Sequence, residues 1–516
     1  MIKDKQQNYL EELIKIGQAL SAEHNISKLL DMILTKSMEF TSADGGSLYL
    51  LDENEEELNF KIIINKSLGT HLGGTSDLEV DWPAVPLYSG GEPNYHNVSA
   101  YSVLKNKVVN INDVYSIEEF DFSGSKEFDQ QNNYYSKAML VIPLRHYDDS
   151  IIGVIQLINP MDEKSGEIKT FTDQDEEIIQ ALASQAAVSI SNTKLISELR
   201  ELLDSIIKMN ASAIDKKSKF TGNHIARVAS LTMIFARRLN RVNHGEFAEF
   251  EFSDEQLDEL KVAAWMHDVG KIITPNYIIN KSRKLEKPFD RLEYVKLKFE
   301  LYKRKLIINT LKKDQDLDED IEEKVSRIDS DLEFLSSLNQ NKVYPDEEIL
   351  DKLENMASRE IKLDGQKVDV LTREEKKSLA SKFGTLTPEE REVIEEHAKD
   401  TMNLLQHISY PEWLKQVPEI ASGHHEKLDG SGYPRGLTGD QLMTQTKILA
   451  ISDIFEALTA PDRKYRDAGL KFSKVIEIMN DMVEKNHIDG DLFQVFMEEK
   501  IYEDFFEKWD DDRVLD

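Results

Sequence analysis

The chain has 12 histidines and no cysteine. Disulfides and thiolate nucleophiles are therefore excluded, and any transition metal must be held by imidazole and carboxylate. The histidines keep informative company. They lie in Thr221-Gly-Asn-His224-Ile-Ala-Arg227, in Trp265-Met-His267-Asp268-Val-Gly270-Lys271, in Glu395-Glu-His397, and in His424-His425-Glu426-Lys-Leu-Asp429-Gly430-Ser-Gly432-Tyr433-Pro434. A further acid, Asp453, is set inside the apolar helical pattern Ala450-Ile-Ser-Asp453-Ile-Phe-Glu-Ala-Leu458. His267-Asp268 follows the apolar run Val262-Ala-Ala-Trp-Met266, which places two polar side chains at least partly inside, where they need hydrogen bonds, a charge partner or a metal. One such dyad alone reads as a satisfied core hydrogen bond. Two dyads with two further histidines and an embedded aspartate read as a multinuclear metal site. The donor set suits Fe, Mn, Co, Ni or Zn better than Ca or Mg. A pair of such ions can activate water and clamp an attacked phosphoryl group. Lys271, just after the dyad, can reach a phosphate oxygen, and Arg463 and Arg466, shortly past Asp453, can hold a second phosphate.

The elements that must position these groups follow from hydrophobic spacing. Residues 5–40 read as helix, with Leu10, Leu13, Gly17 and Leu20 on one face. Residues 46–51 and 58–64 read as a hairpin around Asp-Glu-Asn-Glu-Glu, 66–136 as polar and irregular, and 138–144 and 151–158 as two more strands. A long helix starts at Thr172, an N-cap with acids in the turn after it. The expectation is an antiparallel α+β domain over 1–195. A helical linker over 196–215 follows, and then an all-α region over 216–516 carrying a charged helical insertion at about 286–385, where Val325, Ile328, Leu332 and Leu335 have helical spacing. Leu195, Leu199, Leu202 and Ile206 step by 4, 3 and 4, the seam of a coiled coil. The expected assembly is a homodimer through the linker and N-terminal helices; a helix packed on its own domain is the alternative.

Charge narrows the partners. Against 96 acidic residues stand 64 basic ones, a net charge of -32, which disfavours nucleic-acid polymers. No apolar run approaches the roughly 18–20 residues that span a bilayer. The first 17 residues are charged throughout, with no signal-peptide core. A soluble, cytoplasmic protein is expected.

The histidine motifs carry a family resemblance. His424 to Pro434 matches the pattern HHExxDGxGYP at every fixed position, and with His267-Asp268 and Gly270-Lys271 the chain resembles the HD-GYP branch of the HD-domain phosphohydrolases. The resemblance covers about 205–285 and 386–500. It implies an all-helical domain that hydrolyses cyclic di-GMP to linear pGpG and, in some members, to GMP. It further implies two transition-metal ions, iron or manganese. One would be held by His224, His267, Asp268 and Asp453, and the other by Asp268, His397, His424 and His425, with Asp268 bridging. His267, Asp268 and Lys271 become the catalytic centre, and Lys271, Arg463 and Arg466 the phosphate contacts. Glu426, Asp429, Gly430, Gly432, Tyr433 and Pro434 shape the loop and orient ligands. Phe220 stands where some members place a glutamate for a third metal, so two ions are expected. The family's Asn-Lys-Pro-Gly-Lys-Leu loop reads Asn280-Lys-Ser-Arg-Lys-Leu285 here, and its Arg-Pro-Tyr-Arg reads Arg463-Lys-Tyr-Arg466. Two other activities stay open: hydrolysis of 3′,3′-cyclic GMP-AMP, and a non-catalytic receptor or scaffold that binds a cyclic dinucleotide or a diguanylate cyclase. The N-terminal region resembles a GAF sensor domain. Asn159, Phe171, Asp175 and Glu176 fit that family's cyclic-nucleotide signature, with Pro160 at its lysine position; a strand end plus a capped helix is the alternative.

Overall fold

A computed structural model describes residues 14–509 apart from 24, 147, 163, 218–222, 313–318, 341–344, 364–365, 383 and 461–469. It divides into two compact units, Met1–Leu202 and Leu203–Asp516.

In the first unit α1 (residues 14–22) and α2 (Ile26–Thr41) are separate helices. The single helix expected over 5–40 breaks because Asn25 turns extended and caps α2, its side chain accepting from the Lys28 N–H. Next come β1 (Ala43–Leu51), β2 (Glu57–Asn65), β3 (Thr70–Gly73), β4 (Val85–Pro86), β5 (Tyr88–Ser89), β6 (Glu92–Pro93), α3 (Val98–Lys105), β7 (Val109–Ile111), α4 (Ser123–Asn132), β8 (Met139–Arg145) and β9 (Ile151–Pro160). The stretch 66–136 therefore holds short strands and two helices, whose few apolar residues gave no period to read. Among the described residues a seven-stranded sheet has the order β3-β2-β1-β9-β8-β7, with β4 also on β2. All of its pairings are antiparallel. Both faces are covered. Leu140, Ile142, Leu144, Ile155 and Leu157 pack towards α2 and the start of α5 (Asp173–Lys217), whereas Met139, Val141 and Val154 pack with Val98, Ala100 and Val103 of α3. This double burial makes β8 an unbroken apolar run rather than an alternating one.

The second unit contains α6 (His224–Leu239), α7 (Asp254–Met266), α8 (Asn276–Ile279), α9 (Leu292–Leu311), α10 (Glu319–Asn339), α11 (Glu347–Ala357), the hairpin β10 (Glu360–Leu363) and β11 (Gln366–Asp369), α12 (Arg373–Leu379), α13 (Pro388–Leu405), α14 (Val417–Ser422), α15 (Thr444–Thr459), α16 (Phe472–Glu484), α17 (Gly490–Glu498) and α18 (Ile501–Lys508). Its main core joins Phe235 of α6, Leu260 of α7, Ile420 of α14, Phe455 of α15, Phe496 of α17 and Phe505 of α18. The insertion adds a two-stranded hairpin to the expected helices and has a core of its own, including Leu292, Phe299, Leu335, Leu353 and Leu379. Its two ends are tied together. The buried Lys284 ammonium donates to the carbonyls of Leu379 (3.2 Å) and Ser381 (2.9 Å), and burial pulls its pKa down to about 8.

The other loop lysine, Lys281, is fully buried and meets Glu390 at 2.5 Å. Glu390 also closes the capping box of α13, accepting from the Thr387 N–H at 2.9 Å. Both loop lysines thus hold the fold together. Removing one partner of a buried pair strands the other charge, at a cost of about 3–5 kcal/mol. Glu390→Ala is therefore expected to lower the urea-unfolding free energy by about that amount, whereas Glu389→Ala, which removes an exposed partner of Lys377, is expected to change it by less than about 1 kcal/mol.

Candidate metal centre

Five imidazoles converge in the second unit. Ring centroids are 5.7 Å apart for His224 and His267, 4.8 Å for His267 and His424, 4.0 Å for His424 and His425, and 5.1 Å for His397 and His425. Local backbone sets how three of them point. His267 is the C-cap of α7 and His424 lies just beyond α14, where helix carbonyls have lost their intrahelical partners. Their Nδ1 atoms meet the carbonyls of Ala264 (2.7 Å) and Ala421 (2.6 Å), and Nδ1 of His397 meets that of Ile394. A carbonyl can only accept, so Nδ1 carries the proton and Nε2 keeps its lone pair.

Three Nε2 atoms lie around Asp268. Its Oδ2 is 3.6 Å from Nε2 of His224 and 3.4 Å from that of His267, and its Oδ1 is 3.4 Å from Nε2 of His397. Asp453 Oδ1 adds contacts at 3.3 Å to His224 and 3.9 Å to His267. Two ligand atoms that share one cation at about 2.1 Å lie roughly 3.0–3.4 Å apart. Among the described residues two donor groups can hold an ion: His224, His267 and Asp268, and His397, His424 and His425, with donor atoms within 4.8 Å of one another in each. Nε2 of His267, His397 and His424 and Oδ1 of Asp268 are buried with no hydrogen-bond partner. Four orphaned buried atoms at one place would be costly in a plain core, and they fit a site built for cations.

Charge is arranged accordingly. Burial works against the Asp268 carboxylate, yet Lys271 and His267 beside it hold its pKa well below the ordinary range. His224 and His267 do the same for buried Asp453. Burial, reinforced by His425, holds His424 neutral, and burial lowers His425 to about 3. Lys271 Nζ lies 2.5 Å from Asp268 Oδ2. It stands on the 3-10 turn Val269–Ile272 that follows the dyad rather than on a continuation of α7. Gly270 admits this turn: a Cβ there would sit 2.0 Å from the His397 carbonyl oxygen. Thr401 staples it, donating to the His267 carbonyl and accepting from the Gly270 N–H, both at 3.0 Å.

One residue escaped the sequence reading. Nδ1 of His224 meets Glu456 Oε2 at 2.5 Å, and Arg227 Nε bonds the other oxygen at 2.6 Å. Asp453 and Glu456, one turn apart on α15, thus hold the two nitrogens of His224 between them. The signal was present as a second acid three residues after Asp453 in an otherwise apolar helix. Asp215 is a further, half-buried acid, pushed up to about 6 by burial, with His224 and Asp268 near enough to act on it.

In the loop, Glu426 is buried and accepts from the N–H groups of Arg435 (2.8 Å) and Leu437 (2.9 Å). Asp429 accepts from the Ser431 N–H at 2.9 Å, and Gly430 has φ 79°. A Cβ on Gly432 would lie 2.3 Å from the Lys427 nitrogen. The Tyr433 ring rests 4.8 Å from that of His425, and Pro434 follows through a cis peptide bond. Arg463, Arg466 and Phe220 lie outside the described residues. In the N-terminal unit, Asn159 accepts from the Lys137 and Ala138 N–H groups and donates to Tyr135. Phe171 is buried in the core, Asp175 caps α5 through Thr172, and Glu176 accepts from Asn110. None of the four lines the cavity of about 640 Å3 in that unit, which is walled by Tyr49, Phe60, Trp82 and Phe128 and includes no lysine or arginine.

The GAF domain family matches residues 25–190, and HD domain families match 221–332 and 375–492. A GAF domain is followed by an HD domain. The chain is 38% identical over 104 residues to the 3'3'-cGAMP-specific phosphodiesterase 3 of Vibrio cholerae, covering 20% of this chain and 22% of that protein. It is 21% identical over 296 residues to phosphodiesterase 2 of the same name and organism, covering 57% and 35%. It is 40% identical over 79 residues to a cyclic di-GMP phosphodiesterase of Thermotoga maritima, covering 15% and 21%. The matches thus span about a fifth to a third of these relatives' own lengths. Among the described residues no helix is long and apolar enough to cross a membrane.

Outer partners of a metal-ligating histidine typically contribute 10–100-fold in affinity. Glu456→Ala is expected to weaken binding of the ion at His224 by about that factor in a competition titration against a chromophoric chelator, and Glu456→Gln, which can still accept from Nδ1, much less. Metal-free protein should also lose stability in acid. The histidine pKa is 6.5 when unperturbed and about 3 at His425 in the fold, so the unfolded state gains the proton first and stability falls as pH drops below 6.5. The slope is up to about 1.4 kcal/mol per pH unit for each such histidine. Urea unfolding with chelator at pH 7.5 and 5.5 checks this, and a flat profile contradicts it.

Proposed function

We propose that the chain is a metal-dependent phosphodiesterase that opens cyclic di-GMP to linear pGpG, with GMP as a further product. The observation that carries this reading is Asp268, whose Oδ2 faces Nε2 of His224 and His267 and whose Oδ1 faces Nε2 of His397, the His267 and His397 nitrogens being buried with no hydrogen-bond partner. His224, His267, Asp268 and Asp453 would hold one ion, and Asp268, His397, His424 and His425 the other; the nitrogen-and-oxygen donor set suits several transition metals, of which the family resemblance implies iron or manganese. When bound, such ions supply Lewis acidity and an activated water. The chain's own groups do the rest. Lys271 presents a cation to the phosphoryl oxygens that gain charge, and its side chain is about a quarter exposed beside the centre. Tyr433 packs on His425 and limits its rotation; burial, with Glu395 adding, raises the phenol, which stays protonated.

The relatives named for 3'3'-cGAMP support the same chemistry on that dinucleotide as the second reading. The GAF domain is the regulatory part. Leu195, Leu199, Leu202, Ile206 and Met209 are exposed on α5 at seam spacing, which supports pairing of two copies along that helix in a cytoplasmic homodimer.

Protein carrying two ions per chain is expected to hydrolyse cyclic di-GMP at steady state, with products resolved by ion-exchange chromatography and 3′,3′-cyclic GMP-AMP run alongside. Asp268→Ala should lower kcat by at least about a thousandfold, on the scale of losing a principal electrostatic element, and should release metal. If metal-loaded protein leaves both dinucleotides intact, the enzymatic reading fails and a scaffold role takes its place.

A further inference from the structure

The last residue of α5 reaches the turn that carries Lys271. Lys217 Nζ donates to three carbonyls: Lys271 at 2.9 Å, Ile272 at 2.5 Å and Thr274 at 2.7 Å. An ammonium has three N–H donors, so all of them are committed to one short piece of backbone. The first two belong to the end of the 3-10 turn Val269–Ile272 and the third lies two residues past it, where carbonyls lack onward partners and a cation is favoured. A return bond runs from Asn280 Nδ2 to the Lys217 carbonyl at 3.1 Å. The same end of α5 packs on the same turn: Ala211 and Ile214 form a small apolar cluster with Ile225, against which Val269 and Trp265 pack. About two turns farther back from Ala211, Asp204 pairs with Lys261 of α7 at 2.6 Å.

These contacts converge on the segment that aims the cation of the proposed site. Lys271 has its N–H on the Asp268 carbonyl at 2.9 Å and its ammonium on the Asp268 side chain. Its backbone direction is therefore set from one side by the dyad and from the other by α5. We propose that Lys217 is a positioning residue: by gripping the carbonyls of residues 271–274, it fixes how Lys271 is presented to the substrate phosphate, so that the placement of the end of α5 sets the turnover rate. Lys217 takes no part in the chemistry. This rests on the phosphodiesterase reading and adds to it the regulation of the same site. The helix that ends at Lys217 begins at Asp173 and runs unbroken through 45 residues.

The test uses full-length, metal-loaded protein. Lys217→Met keeps the aliphatic stem and removes the three donors; Lys217→Arg restores a cation with several N–H groups. Lys217→Met is expected to keep its full metal content and to lose about 10–100-fold in kcat, the range for misplacing a positioned group, with a much smaller change in KM. Lys217→Arg should recover most of the loss. Because Lys217 acts through Lys271, Lys217→Met should cost little more once Lys271→Met is present. Hydrogen exchange gives a readout free of activity: backbone amides of 269–274 should exchange faster in Lys217→Met while α15 is unchanged. Wild-type turnover in Lys217→Met, full additivity with Lys271→Met, or unaltered exchange at 269–274 would each overturn the proposal. Wild-type protein without turnover would instead remove the phosphodiesterase reading, and the exchange result would still decide whether Lys217 holds the turn.

Discussion

A carboxylate buried among imidazoles is the constraint from which the second unit is built. Asp268 has lost water; Lys271 offsets its charge on one side, and on the others histidines turn open nitrogens toward it, an arrangement that fits a cation held between them. Such a group is unstable in an ordinary interior, so everything around it must be held tightly enough that no partner can withdraw. The close approach at Gly270, the Thr401 staple and the buried pair of Asp453 and Glu456 all serve that purpose.

The fold supplies most of this holding with backbone. Helix ends leave carbonyls without partners, and two of the histidines are set where α7 and α14 stop, so that each imidazole is oriented by the chain that carries it. Residues distant in sequence therefore need only have their helices packed correctly to arrive with the right nitrogen inward. His224 stands at the start of α6, and it borrows a glutamate from α15. That loan adds another buried charge, which Arg227 neutralises.

Much of this was legible in the sequence, and the reasons differ by element. The histidine dyads and Asp453 stood out because polar residues in apolar runs need partners, and those partners turned out to be one another. Strands β8 and β9 and the start of α5 followed from apolar runs and from the capping residues Thr172 and Asp175. The break at Asn25 was missed because an Asx cap and an ordinary polar helix residue look alike until the backbone turns. The insertion's hairpin was missed because its strands are four residues each, too short for a two-residue period to register. Glu456 went unread since its partner, His224, lies 232 positions away. The two loop lysines illustrate a different limit: residue type suggests a cation for substrate, yet Lys281 and Lys284 point inward and tie backbone to backbone.

That last arrangement has a consequence for how the chain tolerates change. Lys284 brings the way into the excursion and the way out of it, at Leu379 and Ser381, within a single side chain's reach. A stretch closed at its neck, with its own apolar interior, can be shortened, extended or exchanged at a closure cost that grows only logarithmically with its length. The histidine-bearing helices on either side need not register the difference. Sequence drift in the middle of this region is thus decoupled from drift in the histidine-bearing frame, and the charge-rich segment is free to acquire a task of its own.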